Sequence, residues 1–440
     1  MTPDLLGLPV AAWMFPVLFA LIFLGIPVAL ALIATAAGFG WLVFGGALFT
    51  QLFGRIGEVT GNFALAAVPA FIMMGSLLER AGIAEGLFRA MQVWLGRLPG
   101  GLALATMAMA GLFAATTGII GAVEIVIGMM AIPPMAARGY DRGLVAGTIT
   151  AGGSLGTIIP PSIVCVIYGS IGQVPINDLF AGVLLPGVLM VGLFMGYIAL
   201  RCALRPQDGP PAADDAGMPL GAKLRLTAVA IVPVLLLIAA VLGSILGGVA
   251  SPTEAAAVGV LAVLGLAAAN GRLDVPVLAD ALKRTVQLTS MIMLIVLGGT
   301  MFAGVFYIHG GGRMVAGVID ALALGPSGMV ALFLAVVFVA GFVVDWATAV
   351  LICVPIFTPL LRQAGIDPLW FAVAMIVVLQ TSYLTPPMAP AIFYFRSIAP
   401  PEFTYADMYR GVAPFVVCQA LTLAAVLAFP GLATWLPRLL

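Results

Sequence analysis

Two adjacent prolines interrupt an apolar stretch at Pro160-Pro161, and a second pair does so at Pro386-Pro387. The spacing, 386 − 160 = 226 residues, is about half of a 440-residue chain. Flanking residues keep the same offset: Pro133 aligns with Pro359, Gly139 with Gly365 and Asp141 with Asp367. A proline inside a helix removes a backbone donor and clashes with the preceding turn, so each pair marks a broken helix. In lipid, unpaired backbone groups are tolerated only where protein or a watery cavity surrounds them. Two breaks at corresponding places in two halves point to the substrate site of a membrane carrier.

The composition requires the membrane. Hydrophobic residues make up 63% of the chain and charged ones 8%, with mean hydropathy +1.20. Soluble domains carry roughly 25% charged residues. Eighteen basic and eighteen acidic side chains cancel, which argues against a nucleic-acid role. One histidine, His309, and four scattered cysteines offer no zinc or disulfide spacing. Cys165, Cys202, Cys353 and Cys418 lie in apolar runs and are expected to be small buried hydrophobes. No Lys or Arg precedes Arg55, so the N-terminus lacks the positive region of a cleavable signal peptide.

A spanning helix needs about 20 apolar residues. On that basis the first half (1–204) is expected to hold helices near 10–26, 27–48 and 62–79, an amphipathic stretch at 83–97 and an apolar tract at 101–136. Helix 142–157, the first Pro-Pro break, 163–171 and a long helix at 178–203 complete it. Residues 205–222, rich in Pro, Gly and Asp, read as a linker. The second half (223–440) repeats the order. Helices near 226–247 and 253–269 precede an arm at 275–286, a span at 287–308 and an amphipathic stretch at 312–324. A tract at 327–360, helix 368–382 with the second break, 389–398 and a last span at 411–436 follow. Pro27 aligns with Pro252, Pro99 with Pro326 and Gly101 with Gly328. Arg201, Arg205, Lys223 and Arg225 flank the linker, whereas the first 54 residues carry no positive charge. The positive-inside rule then predicts a cytoplasmic linker, an outside N-terminus and halves inverted in the membrane. The fold expected is an all-α polytopic membrane protein made of two inverted repeats, each with a re-entrant hairpin and a broken helix.

The tract 101–136 is too long for one helix and is interrupted at 114–118; its partner at 327–360 is interrupted at 344–348. Each half thus supplies a hairpin tip beside a broken helix. Residues 142–157 alone would span only about 24 Å, so the break falls inside the bilayer. Tips and breaks expose carbonyls and hydroxyls that can replace the hydration shell of a sodium ion, while half-helix N-termini carry partial positive charge for a carboxylate. One ion site is expected at Thr116, Thr117, Gly118, Gly156, Thr157 and Pro160, and another at Asp345, Thr348, Thr381, Thr385 and Pro386. Substrate contacts are expected from Thr116, Thr117, Ser154, Pro161 and Ser162, and from Trp346, Thr385, Pro387 and Met388. No other metal and no cofactor is expected. Threonines in membrane helices also back-bond to carbonyls or join helices, and that is the structural reading of each. Glu124 and Asp345 are intramembrane acids, expensive to hold and functional by default; pairing within the bundle is the structural reading of Glu124. His309, beside Gly310-Gly311-Gly312, reads as an interfacial residue, and Trp13, Trp41, Trp94 and Trp435 as interface anchors.

Several of these segments resemble a known family. Tyr140-Asp141, Gly147-Thr148, Gly153-Ser154-Leu155-Gly156-Thr157-Ile158-Ile159-Pro160-Pro161-Ser162-Ile163 and Tyr168-Gly169 are similar to the large membrane subunit of tripartite ATP-independent periplasmic (TRAP) transporters. So are Ser251-Pro252-Thr253-Glu254-Ala255-Ala256-Ala257 and Leu384-Thr385-Pro386-Pro387-Met388, so that the resemblance covers nearly the whole chain. It implies a secondary transporter of the bacterial inner membrane, driven by sodium, in which hairpins and broken helices slide as one body against a fixed scaffold, an elevator. It also implies two partners, a small four-helix membrane subunit and a soluble periplasmic binding protein, and an organic anion as substrate. The first tip, Ala115-Thr116-Thr117-Gly118, departs from the Ser-Gly-Ser-like tip of many members and resembles a divergent branch with proposed mannitol, chloroaromatic and taurine carriers. Two other readings compete: a stand-alone sodium–dicarboxylate symporter, and a membrane-embedded protease. The second needs paired aspartates or a nucleophile–base pair, and the sequence offers neither motif.

Overall fold

The computed structural model describes residues 4–5, 8–118, 121–212, 218–386 and 389–440. Apart from a short antiparallel pairing of Asp4–Leu5 with Leu8–Pro9, its regular structure is helical. The first half holds α1 (Val10–Phe23), α2 (Val28–Phe44), α3 (Leu48–Thr60), α4 (Ala67–Arg80), α5 (Ile83–Leu95), α6 (Gly101–Thr117), α7 (Ala122–Ala137), α8 (Arg142–Ser154), α9 (Ile163–Gly172) and α10 (Ile176–Leu204). The second holds α11 (Leu220–Leu246), α12 (Pro252–Ala269), α13 (Val275–Ile308), α14 (Gly311–Ala321), α15 (Pro326–Ala340), α16 (Trp346–Gln363), α17 (Pro368–Leu384), α18 (Pro390–Ile398), α19 (Tyr405–Ala428) and the short α20 (Gly431–Thr434). Among the described residues, eight helices are long and apolar enough to cross a membrane.

Helix starts follow from local chemistry. Asp141 accepts the Leu144 amide and caps α8; Asp367, 226 residues on, accepts the Leu369 amide and caps α17. Ser251 and Glu254 close a capping box at α12, satisfying donors the helix leaves orphaned.

Four expectations need correction. The amphipathic helix α3 lies where no element was expected, in a stretch too short and polar to read as a span. The arm at 275–286 and the span at 287–308 are one continuous helix, α13, because neither proline nor glycine separates them. Helices α11 and α19 start six residues early, so α11 takes in the end of the expected linker, of which 213–217 lie outside the described residues. His309 is buried rather than interfacial: its Nε2 meets the Phe39 carbonyl at 2.9 Å, and its ring packs edge-on against Phe39.

The linker defines one face of the molecule. Arg201 grips Asp141 at 2.7 Å and Asp208 at 2.9 Å, the Asp141 amide donates to the Asp208 carbonyl, and the Gly100 amide donates to the Gly209 carbonyl. Both the start of α6 and the end of α7 therefore lie at this face, and the pair forms a hairpin that returns where it entered. Arg142, at the start of α8, bonds the Glu402 carbonyl, bringing the α18–α19 loop to the same face. Arg362, near the end of α16, instead bonds Gly172 and Gln173 at the α9–α10 turn. That turn is separated from the linker by the 29-residue α10, roughly 43 Å of helix. The two hairpins thus enter from opposite ends. The halves also exchange contacts reciprocally: α2 packs on α13 as α12 packs on α4, and α7 on α18 as α16 on α9.

Candidate functional site

The two broken helices cross at the centre. Helix α8 ends at Ser154, a 3-10 turn follows at Leu155–Thr157, and α9 starts at Ile163; α17 ends at Leu384 and α18 starts at Pro390. Gln380 Nε2 donates to Ser154 Oγ at 3.0 Å, and these residues are 226 apart, the repeat spacing itself. Ser154 also receives Gln419 Nε2 at 3.5 Å and donates to the Ala151 carbonyl. The crossing is buried: Ser154 and Gln380 are almost fully covered.

In the first half the tip and the break touch. Gly118 ends α6 with φ +58°, and a Cβ there would sit 2.8 Å from the Pro161 carbonyl oxygen. Only glycine combines that left-handed conformation with so close an approach. Ser162 Oγ donates to the Thr157 carbonyl at 2.7 Å, and Thr157 Oγ1 to the Ser154 carbonyl at 2.9 Å. Gly118, Thr157, Pro161 and Ser162 therefore form one contiguous buried group, with Gly156 and Pro160 inside the same turn. Thr116 and Thr117 lie on the tip but turn their hydroxyls back onto the Phe113 carbonyl.

In the second half Asp345 caps α16, accepting the Ala347 and Thr348 amides and the Thr348 hydroxyl. The hairpin rests on the broken helix where Gly341 packs against the Ser382 side chain. Thr381 donates to the Val377 carbonyl and Thr385 to the Thr381 carbonyl, so both hydroxyls are used within α17. Pro386 is exposed; Pro387 and Met388 lie outside the described residues.

A cavity of about 490 Å³ separates the tips from α2, α4 and α13. The start of α9 reaches it through Ile163, and the first tip through Gly118. The second half dominates, with Val344, Asp345, Trp346, Ser382, Tyr383 and Tyr394. The opposite wall is apolar: Pro27, Val28, Ile72, Leu288, Met291 and Ile295. Of the expected site residues, Gly118, Asp345 and Trp346 line this cavity, while Ser154, Thr157 and Ser162 lie in the crossing behind it. Ser382, Tyr383 and Tyr394 were missed. Their only sequence signal is position within a turn or two of the second break, which does not say which face of the helix turns inward.

Chemically, the cavity offers an anion the N-termini of α9 and α18, where the helix dipole favours negative charge, whereas the first amides of α16 are already taken by the Asp345 carboxylate. Asp345 brings carboxylate oxygens to the cavity, while the threonines of the first tip and the second break lie off its lining, their hydroxyls donating to helix carbonyls and keeping lone pairs free to accept.

Residues 15–432 match the family model described as tripartite ATP-independent periplasmic transporter, DctM component. The chain is 30% identical to the ectoine/5-hydroxyectoine TRAP transporter large permease protein of Ruegeria pomeroyi, over 97% of this chain and 98% of that one. It is 29% identical to the sialic acid TRAP transporter large permease protein of Vibrio cholerae, over 95% and 96%. With the C4-dicarboxylate TRAP transporter large permease protein of Pseudomonas aeruginosa the identity is 28%, over 87% and 88%. Among solved structures, the Alcanivorax borkumensis YdaH transporter shares the fold with a TM-score of 0.65 at 16% identity, covering 96% of this chain and 99% of that one.

Proposed function

The chain belongs to the DctM component family of tripartite ATP-independent periplasmic transporters, and we propose that it imports a small organic acid by sodium-coupled secondary transport. Its relatives are named as transporter permeases, not as enzymes. In this reading a periplasmic binding protein delivers the substrate and a small membrane subunit completes the complex. The observation that carries it is the cavity, with two hairpin tips and two helix breaks on one side and an apolar wall on the other. Carboxylate binding at half-helix N-termini and sodium held by the tip oxygens of each half account for that arrangement.

The hairpins α6–α7 and α15–α16 and the broken helices form the moving body; α2, α4, α12 and α13 form the scaffold. Entry of the hairpins from opposite ends supports two repeats inverted in the membrane. Arg97, Arg138, Arg142, Arg205, Lys223 and Arg225 stand beside the helix ends that the linker joins or that hydrogen-bond to it at Gly96, Gly100 and Asp141, which supports a cytoplasmic linker and a periplasmic N-terminus in the bacterial inner membrane. The relatives' named substrates, an ectoine, a sialic acid and C4-dicarboxylates, set the first compounds to try.

The test is uptake into proteoliposomes holding both membrane subunits, with the binding protein outside and a panel of organic acids. Uptake should follow an inward sodium gradient and vanish without the binding protein. Uptake driven by a proton gradient in sodium-free buffer would overturn the sodium coupling. Uptake that needs no binding protein would favour the stand-alone symporter.

A further inference from the structure

The crossing and the tips leave one buried acid unexplained. Glu124, in the first turn of α7, is fully buried, and neither carboxylate oxygen has a hydrogen-bond partner among the described residues, although the Phe395 backbone lies close to it. Among the described residues no lysine, arginine or histidine neutralises it. Helix α8 turns Gly153 toward it, so closely that a Cβ there would meet the Glu124 Cβ at 2.6 Å and Cγ at 2.9 Å. Helix α6 contains no titratable residue, and the charged residues of α5 do not bear on it. The titratable groups that face it are Tyr383 from α17 and Tyr394 from α18. The Tyr383 hydroxyl is likewise buried without a partner. Both tyrosines line the cavity on their other side, and the Tyr394 ring closes over Gly121, three residues before Glu124.

An ionised carboxylate buried away from solvent, with no cation beside it and only the Phe395 backbone close by, is far costlier than its neutral acid. A hard cation would need several oxygen ligands, and α8 presents a glycine where one would be required. We propose that Glu124 is a proton-binding site: it carries a proton in this conformation and exchanges it with the cavity past Tyr383 and Tyr394. In the exchange the O–H bond of the carboxyl breaks, its electron pair stays on the carboxylate, and the proton passes to cavity water. An anion in the cavity holds the proton in place, since like charges repel strongly across a poorly polarisable wall; this consequence rests on the transport reading, whereas the protonation itself does not.

Infrared spectroscopy of the purified chain, without substrate, tests it. At neutral pH the wild type should show the C=O stretch of a buried carboxylic acid that shifts in D2O. Glu124→Gln should lose that band and Asp345→Asn should keep it. Because glutamine mimics the neutral acid, Glu124→Gln should also denature at the wild-type temperature at neutral pH. Should Glu124→Gln fail to fold, Glu124→Asp serves instead, and the band should move in frequency. No carboxylic-acid band at neutral pH, or one unchanged in the Glu124 variant, overturns the proposal, as does a marked loss of thermal stability in a folded Glu124→Gln.

Discussion

Asp345 holds two roles in one side chain. It closes the first turn of α16 through the Ala347 and Thr348 amides, and its exposed surface opens into the cavity. Asparagine caps a helix about as well as aspartate, so Asp345→Asn should keep the fold and melt within a few degrees of wild type. If Asp345 helps hold sodium, as proposed, loss of its charge should raise the sodium needed for half-maximal uptake roughly tenfold, about 1.4 kcal/mol. Unchanged sodium dependence would make Asp345 a structural cap alone. Gly118 carries the other residue-level prediction. Alanine there takes on a left-handed backbone costing roughly 1–2 kcal/mol and drives a methyl into the Pro161 carbonyl oxygen. Gly118→Ala should lower the melting temperature and cut uptake more than tenfold, whereas Gly57→Ala, with open space around it, should do neither. Equal behaviour of the two variants would remove the tip–break contact from the mechanism. The threonines were legible as residues of the tips and breaks, but not in their bonding. Thr116, Thr117, Thr381 and Thr385 each return a proton to a carbonyl three or four residues back, a local geometry that any helical threonine can adopt.

At the scale of elements, proline and glycine punctuation located most helices because each acts on its own turn. The break after α8 and the start of α9 fall around Pro160-Pro161, and Asp141 and Asp367 open α8 and α17. Punctuation failed where it was absent. Nothing in the sequence separates the arm from the span in α13, and the first half does separate them, with α3 and α4 joined through a short 3-10 turn at Phe63–Ala66. The same sequence repeat thus gives a continuous helix in one half and a jointed one in the other. The hairpin α6–α7 is an element in its own right only because Gly100 and Asp141 are both tied to the linker segment around Asp208 and Gly209. Those are contacts between residues far apart in the chain, and no local signal announces them.

For the whole molecule, α2, α4 and α13 turn apolar side chains to the cavity and the tips, a wall against which a sliding body would have few polar bonds to break; the Tyr307 hydroxyl of α13, which donates to the Pro355 carbonyl of α16, is one that would have to yield. If the tips and broken helices move against that wall as one body, tying the two sides together must stop transport. Leu288 and Val344 line the cavity from opposite sides, and the native cysteines are all buried and free. In a cysteine-free background, Leu288→Cys with Val344→Cys, joined by a thiol reagent long enough to span the cavity, should lose uptake while each single variant keeps it. Uptake that persists in the joined protein would exclude the sliding motion. What the sequence by itself determined is the membrane and the two helix breaks, because hydropathy and proline stereochemistry are each written locally. What only the tertiary structure decided is which residues meet. The bond between Ser154 and Gln380, 226 residues on, the entry of the hairpins from opposite ends, and the gathering of Asp345, Tyr383 and Tyr394 around one cavity depend on how helices cross. Crossing is set by side-chain packing between distant segments. A helix's own periodicity cannot record it, since α17 is apolar all round from Pro368 to Leu379 and its polar residues Gln380, Thr381 and Ser382 follow in a row, with no mark of which face will turn toward the cavity.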